Sequence, residues 1–164
     1  MNIFYLDADP VKCAQAHVDK HVVKMILEYA QLLAHRVIDG QLTGERDAAL
    51  YKASHVNHPS ARWVRDSQSN YRFLFELWQE LLKEYKYRYD KIHASARLLP
   101  HLQVAPNKIA VKEFCPPWRA MPIEFKIDRA VLNYTLQSYR NYYNGAKRNL
   151  FKWKNRPVPD WIQL

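Results

Sequence analysis

A row of acid–base side chains recurs at helical spacing in the segment HVDKHVVKMILE (17–28). The row consists of His17, His21, Lys24 and Glu28. They are separated by four, three and four residues, a spacing that places them on one face of a helix. Two imidazoles, an ammonium group and a carboxylate in one row are typical of a proton-transfer site. The same row also fits a packed helix whose histidines and glutamate find partners at the edge of the core. Residue types alone leave both interpretations open.

A metal site is the second chemistry that the histidines suggest. Cys13, His17 and His21 recur every four residues, and His55 and His58 add two imidazoles. Zinc binds histidines spaced in this way on one helix face. No tight ligand signature such as a paired CxxC is present, so we expect no metal and no other cofactor.

Cations alternate with aromatic rings near the C-terminus, a pattern that suits neutralisation of a nucleic-acid backbone and stacking on bases. The residues are Tyr139, Arg140, Tyr142, Tyr143, Lys147, Arg148, Lys152, Trp153, Lys154 and Arg156. An ordinary solvated amphipathic helix is the alternative interpretation.

A second place for a phosphate is His58, which precedes Pro59 and should lie extended at the mouth of a helix with free N–H groups.

Composition limits the classes of function. The 164 residues contain 25 Lys and Arg against 16 Asp and Glu, a formal charge of +9 that favours a polyanionic partner. Three glycines exclude phosphate-binding glycine loops such as GxGxxG. No apolar run approaches the ~20 residues of a membrane span, so we expect no membrane association. Two cysteines without a signal-peptide pattern predict a reducing cytoplasm.

These residues must be positioned by helices. Scarce glycine and long stretches of 3.6-residue periodicity predict an all-α fold, a compact single domain of four to five helices over residues 1–164. A proline-rich loop at 100–126, with Trp118 and Phe125 holding it to the core, should precede the C-terminal helix. The expected helices cover 10–38, 47–52, 60–89 with a break near 67–69, 90–99 and 128–143, with a further turn at 149–153.

Three short patches, in order, resemble a known family. DKHVVKMILE (19–28), with His21 and Glu28 seven residues apart, looks like the signature helix of the phage pyrimidine-dimer DNA glycosylases with AP-lyase activity, the endonuclease V-like family. YRNYYNGAK (139–147) resembles the aromatic, basic C-terminal signature of that family. The Pro59 segment, followed by a long amphipathic helix ending in YRYDKI (87–92), matches the same order of elements.

The resemblance implies a compact all-α enzyme that kinks double-stranded DNA at a cyclobutane dimer, where flipping a nucleotide is least costly. A free α-amine, a class of group whose pKa of about 8 leaves a neutral fraction at pH 7, attacks the sugar C1′ and forms a Schiff base. Asn2 is large enough to block removal of Met1, so the amine here would be that of Met1. Glu28 would stabilise the cationic sugar and assist β-elimination, and His21 would contact DNA or orient Glu28.

The family's arginines beside the glutamate are replaced here by Leu27 and Gln31, with Lys20, Lys24 and Arg36 as substitute charges. DNA contacts outside the C-terminal cluster are assigned to Asn2, Lys20, Lys24, His58 and Arg62. We expect a monomer. Two rival hypotheses remain: a phage DNA-base-modifying or base-processing enzyme using the same groups without a Schiff base, and a non-catalytic basic DNA-binding protein.

Overall fold

The computed structural model describes residues 1–34 and 49–164, and the helices there explain how the chemistry-bearing residues are placed. The described residues form six α-helices and no strand, which confirms the all-α prediction. The bounds are α1 Pro10–Ala16, α2 Asp19–Leu33, α3 Pro59–Asp66, α4 Gln68–Tyr89, α5 Leu99–Leu102 and α6 Tyr134–Ala146. Short 3₁₀ turns lie at Ala94–Leu98, Ile123–Phe125 and Arg148–Leu150.

The N-terminal helix begins as expected but does not continue as predicted. The Asp9 side chain accepts from the N–H of Val11 (2.8 Å) and Pro10 opens α1, which confirms this helix start. A single helix over 10–38 is wrong, because His17 and Val18 are extended and separate α1 from α2. The Asp19 N–H at the break donates instead to the carbonyl of Lys152 (2.8 Å), a long-range partner that no local pattern reveals.

Part of the predicted helix ends cannot be compared with the structure. The expected end of the first helix near 38–40, the start of the short helix at 47–52, and Arg36 all lie outside the described residues. Tyr51 and Lys52, at the end of that short helix, are not helical.

The long central helix α4 packs against α1, α2 and α3. Its predicted break from α3 is confirmed at Ser67, whose hydroxyl accepts from the N–H of Asn70 (3.0 Å). Leu74, Leu77 and Trp78 are fully buried on its inner face. The indole N–H of Trp78 donates to the carbonyl of Ile26 (3.0 Å), which fixes α4 against α2.

The region after α4 differs from the prediction in detail. The expected helix over 90–99 is replaced by the 3₁₀ turn Ala94–Leu98, and Pro100 lies in the first turn of α5 rather than ending a helix. Proline is tolerated there because its missing N–H has no partner within the first turn of a helix.

The proline-rich loop is held to the helices, although not through both predicted aromatic residues. Phe125 packs against Gly145 so closely that a Cβ there would lie 2.3 Å from the Phe125 ring, which explains the glycine in α6. The carbonyl of Cys115 accepts from the Trp63 indole N–H (2.9 Å). Trp118, predicted to be in the core, is 39% exposed. Its side chain is therefore available to a ligand.

The C-terminal helix starts later and ends later than predicted. Asp128 accepts from the N–H of Ala130 (2.8 Å) and so closes a turn, whereas Asn133, in the left-handed region, is the N-cap of α6. Gly145 does not end the helix, which continues through Ala146. The turn expected at 149–153 is the 3₁₀ turn Arg148–Leu150.

A buried ion network fixes the C-terminal tail to the helices. Arg88 is almost fully buried, and its guanidinium donates to Glu84 (2.9 Å) and to Asp19 (3.0 Å). Glu84 also accepts from Arg156 of the tail (2.6 Å), and Asp19 accepts from the N–H of Lys154 (2.8 Å). Because each buried charge has an oppositely charged partner, removing Arg88 would cost several kcal/mol.

Candidate functional site

The imidazole of His58 lies near an amine and a carboxylate from two other parts of the chain. The pKa of His58 is lowered by burial first, then by the positive charge of the Met1 α-amine and by His55, whereas the carboxylate of Glu28 acts in the opposite direction. Coulomb effects of this kind are significant only over several ångströms. Met1 at the N-terminus and Glu28 on α2 therefore both lie near the His58 ring at the start of α3. We call these three residues the amine edge.

His58 is oriented by its position at the mouth of α3. As predicted from Pro59, its backbone is extended (φ −62°, ψ 141°). Its Nδ1 accepts from the N–H of Ser60 (3.1 Å), so the neutral ring carries its proton on Nε2. Since the pKa of His58 is lowered, this neutral form prevails near pH 7. Since Nε2 already carries the proton, the ring can take up a second one only at Nδ1, by giving up its bond to the Ser60 N–H.

Glu28 lies at the boundary between core and solvent. Its side chain is 16% exposed and forms an ion pair with Lys24 one turn earlier (Nζ–Oε1 3.4 Å), whose side chain is 66% exposed. The carboxylate is thus reachable by a ligand while remaining near a positive charge. This arrangement suits stabilisation of a cation or removal of a proton from a bound molecule.

Asn2 holds the N-terminus in place. Its side-chain amide donates to the carbonyl of Ala120 (2.7 Å), and its oxygen accepts from the Ile3 N–H (2.9 Å) and the Tyr139 hydroxyl (3.2 Å). Asn2 was assigned to DNA contact from the sequence, but it is buried and its side-chain bonds are internal. In this structure it positions the residue that carries the amine.

His17 does not belong to the row predicted on one helix, because it lies at the C-terminus of α1. Its Nδ1 donates to the carbonyl of Cys13 (2.7 Å), so its Nε2 accepts from the Tyr29 hydroxyl (3.0 Å). Tyr29 in turn accepts from the N–H of Phe4 (3.0 Å). Burial lowers the pKa of His17 to about 4, and the neutral ring serves as a hydrogen-bond link in the core.

His21 is also used inside the protein. Its ring stacks on Phe4 (centroids 4.3 Å apart) and its Nδ1 bonds the hydroxyl of Tyr143 (2.6 Å). Burial, followed by the positive charges of His17, Lys147 and Lys24, lowers its pKa to about 3. With only 5% of the residue exposed, His21 is poorly placed for direct contact with DNA.

The described residues contain no group of three or more His, Cys, Asp or Glu side chains that could hold a metal ion. Cys13 instead makes weak hydrogen bonds to the backbone of Phe4 and Leu6, and burial raises its pKa to about 12.

The C-terminal cluster divides into buried rings and exposed cations. Tyr139 and Tyr143 are fully buried, and Arg140 donates to the carbonyl of Leu6 (2.9 Å) and pairs with Asp7 (3.3 Å). These side chains stabilise the N-terminal segment, and their expected DNA contacts remain predictions.

The exposed cations meet helix α2. Lys152 and Lys154 line a groove with Lys20 and Lys24, together with Val23 and the ring of Tyr89, over which the Lys154 ammonium lies (5.4 Å). Asp19 also lines it, and its carboxylate is paired with the buried Arg88. We call this surface the lysine groove. It shares Lys24 with the ion pair of Glu28, so positive charge extends from the tail to the amine edge. Tyr89 was not among the DNA contacts predicted from the sequence, although the YRY pattern at 87–89 was an available signal.

The remaining predicted contacts lie on the surface or at its edge. Arg62 is exposed on α3, and Arg148 is exposed after α6. Tyr142 and Lys147 are half-buried, with the Lys147 ammonium over the Tyr142 ring (5.0 Å). For all four residues, contact with DNA stays a prediction.

Comparisons with family models, with curated proteins and with solved structures give no match to this chain. Within residues 1–34 and 49–164, no helix has both the length and the apolar character needed to cross a bilayer. A function for this protein must therefore be inferred from the geometry of its amine edge and its lysine groove.

Proposed function

We propose that the protein is a DNA N-glycosylase/AP lyase that acts on damaged duplex DNA of the pyrimidine-dimer type, as the sequence resemblance implies. The single observation that carries the proposal is the amine edge, where the charges of the Met1 α-amine and the Glu28 carboxylate both act on the His58 imidazole. The adjacent lysine groove supports it, because surface lysines neutralise phosphates.

The proposed reaction starts with the neutral amine of Met1. Its lone pair attacks the sugar C1′, the bond from C1′ to the base breaks, and the base leaves with the bonding electrons. His58, neutral near pH 7, gives up its bond to the Ser60 N–H and accepts at Nδ1 a proton that the attacking nitrogen releases. The bond from C1′ to O4′ then breaks, O4′ takes up the proton held by His58, and the nitrogen lone pair forms the C=N bond. The product is a cationic Schiff base between the amine and the opened sugar.

Glu28 acts in the second stage. Its carboxylate stabilises the positive charge at C1′ and removes a proton from C2′. The electrons of that C–H bond form a double bond, and the bond from C3′ to oxygen breaks with loss of the 3′ phosphate. The strand is nicked by β-elimination. Water then hydrolyses the Schiff base and frees the Met1 amine.

The test is borohydride reduction on two duplexes, one with a cyclobutane thymine dimer and one with an abasic site. The expected result is a covalent protein–DNA adduct on both, mapped by peptide mass spectrometry to the amine of Met1. Acetylation of that amine should abolish trapping. An adduct only on lysine side chains, or none on either duplex, would contradict the proposal.

A second candidate is a non-catalytic DNA-binding protein, which the structural use of His17 and His21 and the presence of the lysine groove favour. Tight, salt-sensitive binding without any adduct or base release would support it. Release or alteration of a base without an adduct would instead indicate base-modifying chemistry on the same residues.

A further inference from the structure

A second cleft lies between the proline-rich loop and the start of α6, apart from the lysine groove. Its volume is about 350 Å³, and its wall includes Trp118, Arg119, Lys126, Arg129 and Tyr134. Three cations and two aromatic rings line it, and no carboxylate does. We call it the Trp118 cleft. Such a lining selects a ligand that is both anionic and aromatic.

The cations are arranged to receive an anion. Arg119 is held in place, since its guanidinium donates to the Ile127 carbonyl (2.5 Å) and lies over the Tyr134 ring (4.8 Å). Lys126 and Arg129 make no ion pair with any residue in the described part of the chain. Two unneutralised cations beside a fixed guanidinium form a site for a phosphate group.

The Trp118 ring supplies a stacking surface. It is 39% exposed although tryptophan has one of the largest apolar side chains. The backbone beneath it is rigid, because the Trp118 carbonyl accepts from the buried Tyr139 hydroxyl (2.8 Å). An exposed indole on a fixed backbone is suited to stack on a nucleobase at little cost in side-chain entropy.

The cleft is joined to the N-terminus by hydrogen bonds. The Tyr139 hydroxyl contacts both the Trp118 carbonyl and the Asn2 side chain, and Asn2 also donates to the carbonyl of Ala120 (2.7 Å). Asn2 directly follows the residue whose amine belongs to the amine edge. The backbone of the Trp118 cleft and the residue next to that amine are thus held by the same buried hydroxyl.

We propose that the Trp118 cleft binds one nucleotide unit, with its base on Trp118 and its phosphate between Lys126 and Arg129. A free nucleoside monophosphate and a nucleotide displaced from a DNA strand share this chemistry. In the second case the cleft would hold an extruded nucleotide for attack by the Met1 amine. That interpretation rests on the proposed function. The proposal that the cleft binds a nucleotide depends only on the residues that line it.

The experiment measures equilibrium binding by full-length protein to two probes. One probe is thymidine monophosphate, and the other is a duplex with one unpaired thymidine, compared with the same duplex fully paired. The variants are Trp118→Ala and the double variant Lys126→Gln/Arg129→Gln. Trp118→Phe keeps a stacking ring, and Lys83→Gln removes a cation elsewhere on the surface, so both serve as controls. Circular dichroism verifies that each variant is folded.

We expect the Trp118→Ala and double variants to bind a probe about tenfold more weakly, while both controls stay near wild type. Weaker binding of thymidine monophosphate by these two variants identifies a free-nucleotide site. Loss confined to the unpaired duplex, with paired-duplex affinity unchanged, identifies an extruded nucleotide. Wild-type affinity of both variants for both probes would overturn the proposal. Because no step depends on borohydride trapping, this failure is distinguishable from failure of the lyase chemistry.

Discussion

The buried histidines of the first two helices and the histidine at the mouth of α3 show how one residue type takes two roles. His17 and His21 have low pKa values, about 4 and about 3, mainly because of burial, and each ring bonds a core tyrosine. His58 is half-buried, and its pKa responds to an amine and a carboxylate from other parts of the chain. The first pair stabilises the fold, whereas His58 lies where a ligand can reach it.

Helical spacing alone does not identify a reactive histidine in this protein. His17 and His21 had the more suggestive spacing, yet their hydrogen bonds are internal. His17 bonds Tyr29, which accepts from the N–H of Phe4, and His21 bonds Tyr143 of α6. His58 had no periodic partner in the sequence. Its neighbours at the amine edge come from residues 1 and 28, which are distant along the chain.

The largest effect that would test this contrast is expected from Glu28→Gln. Loss of the carboxylate should lower base release and strand nicking by about 100-fold or more, because general acid–base groups contribute on that scale. Duplex affinity should be nearly unchanged. Glu80→Gln is the matched control, since Glu80 is 20% exposed and pairs with Lys83 on α4. Equal activity of the two variants would remove Glu28 from the mechanism.

The buried pair should appear in the pH dependence of stability. Because the folded-state pKa of His17 is about 4 and an unfolded histidine titrates near 6.5, the unfolded chain binds more protons between these values. Stability is therefore full above pH 6.5 and falls toward pH 4, and His17 alone should cost roughly 2 kcal/mol at pH 5. Urea unfolding of wild type and His17→Gln at pH 7.5 and pH 5 measures this. An equal loss of unfolding free energy in both proteins would contradict this role of His17.

The edge histidine should instead affect rate and its pH dependence. His58→Asn keeps a good N-cap and should lower the nicking rate about tenfold while leaving unfolding little changed. In wild type, the rate should fall on the acidic side, as pH drops through the lowered pKa of His58, since the neutral ring is the active form. That acidic limb should weaken in the variant. His55→Asn is the control, because asparagine tolerates the left-handed backbone of residue 55 (φ 51°).

The smallest expected effect concerns the lysine groove. Lys20→Gln combined with Lys152→Gln should reduce the slope of log affinity against log salt by about 2, since each lost phosphate contact removes about 0.9. Binding should weaken equally for damaged and intact duplexes. Lys83→Gln with Lys86→Gln, whose lysines pair with Glu80 and Asp90, should leave the slope unchanged. An unchanged slope in both double variants would place the DNA elsewhere.

Local chemistry made several features predictable. The cap at Asp9, the extended residue before Pro59 and the interruption at Ser67 depend on side chains within a few residues of each other, and all three are present. The all-α class followed from the spacing of apolar residues and the scarcity of glycine. The positive charge of the surface was likewise a property of composition.

Tertiary contacts decided the rest. α1 ends at Ala16, and the Asp19 N–H beyond the break is satisfied by the distant carbonyl of Lys152. Tyr139 bonds Asn2 and Tyr143 packs against Phe4, so both rings are buried against the N-terminal segment. The sequence named Met1, Glu28 and His58 separately, and only the fold brings them to one edge. The physical reason is range: caps and periodicity act within a helical turn, whereas the amine edge and the Trp118 cleft arise from packing between distant segments.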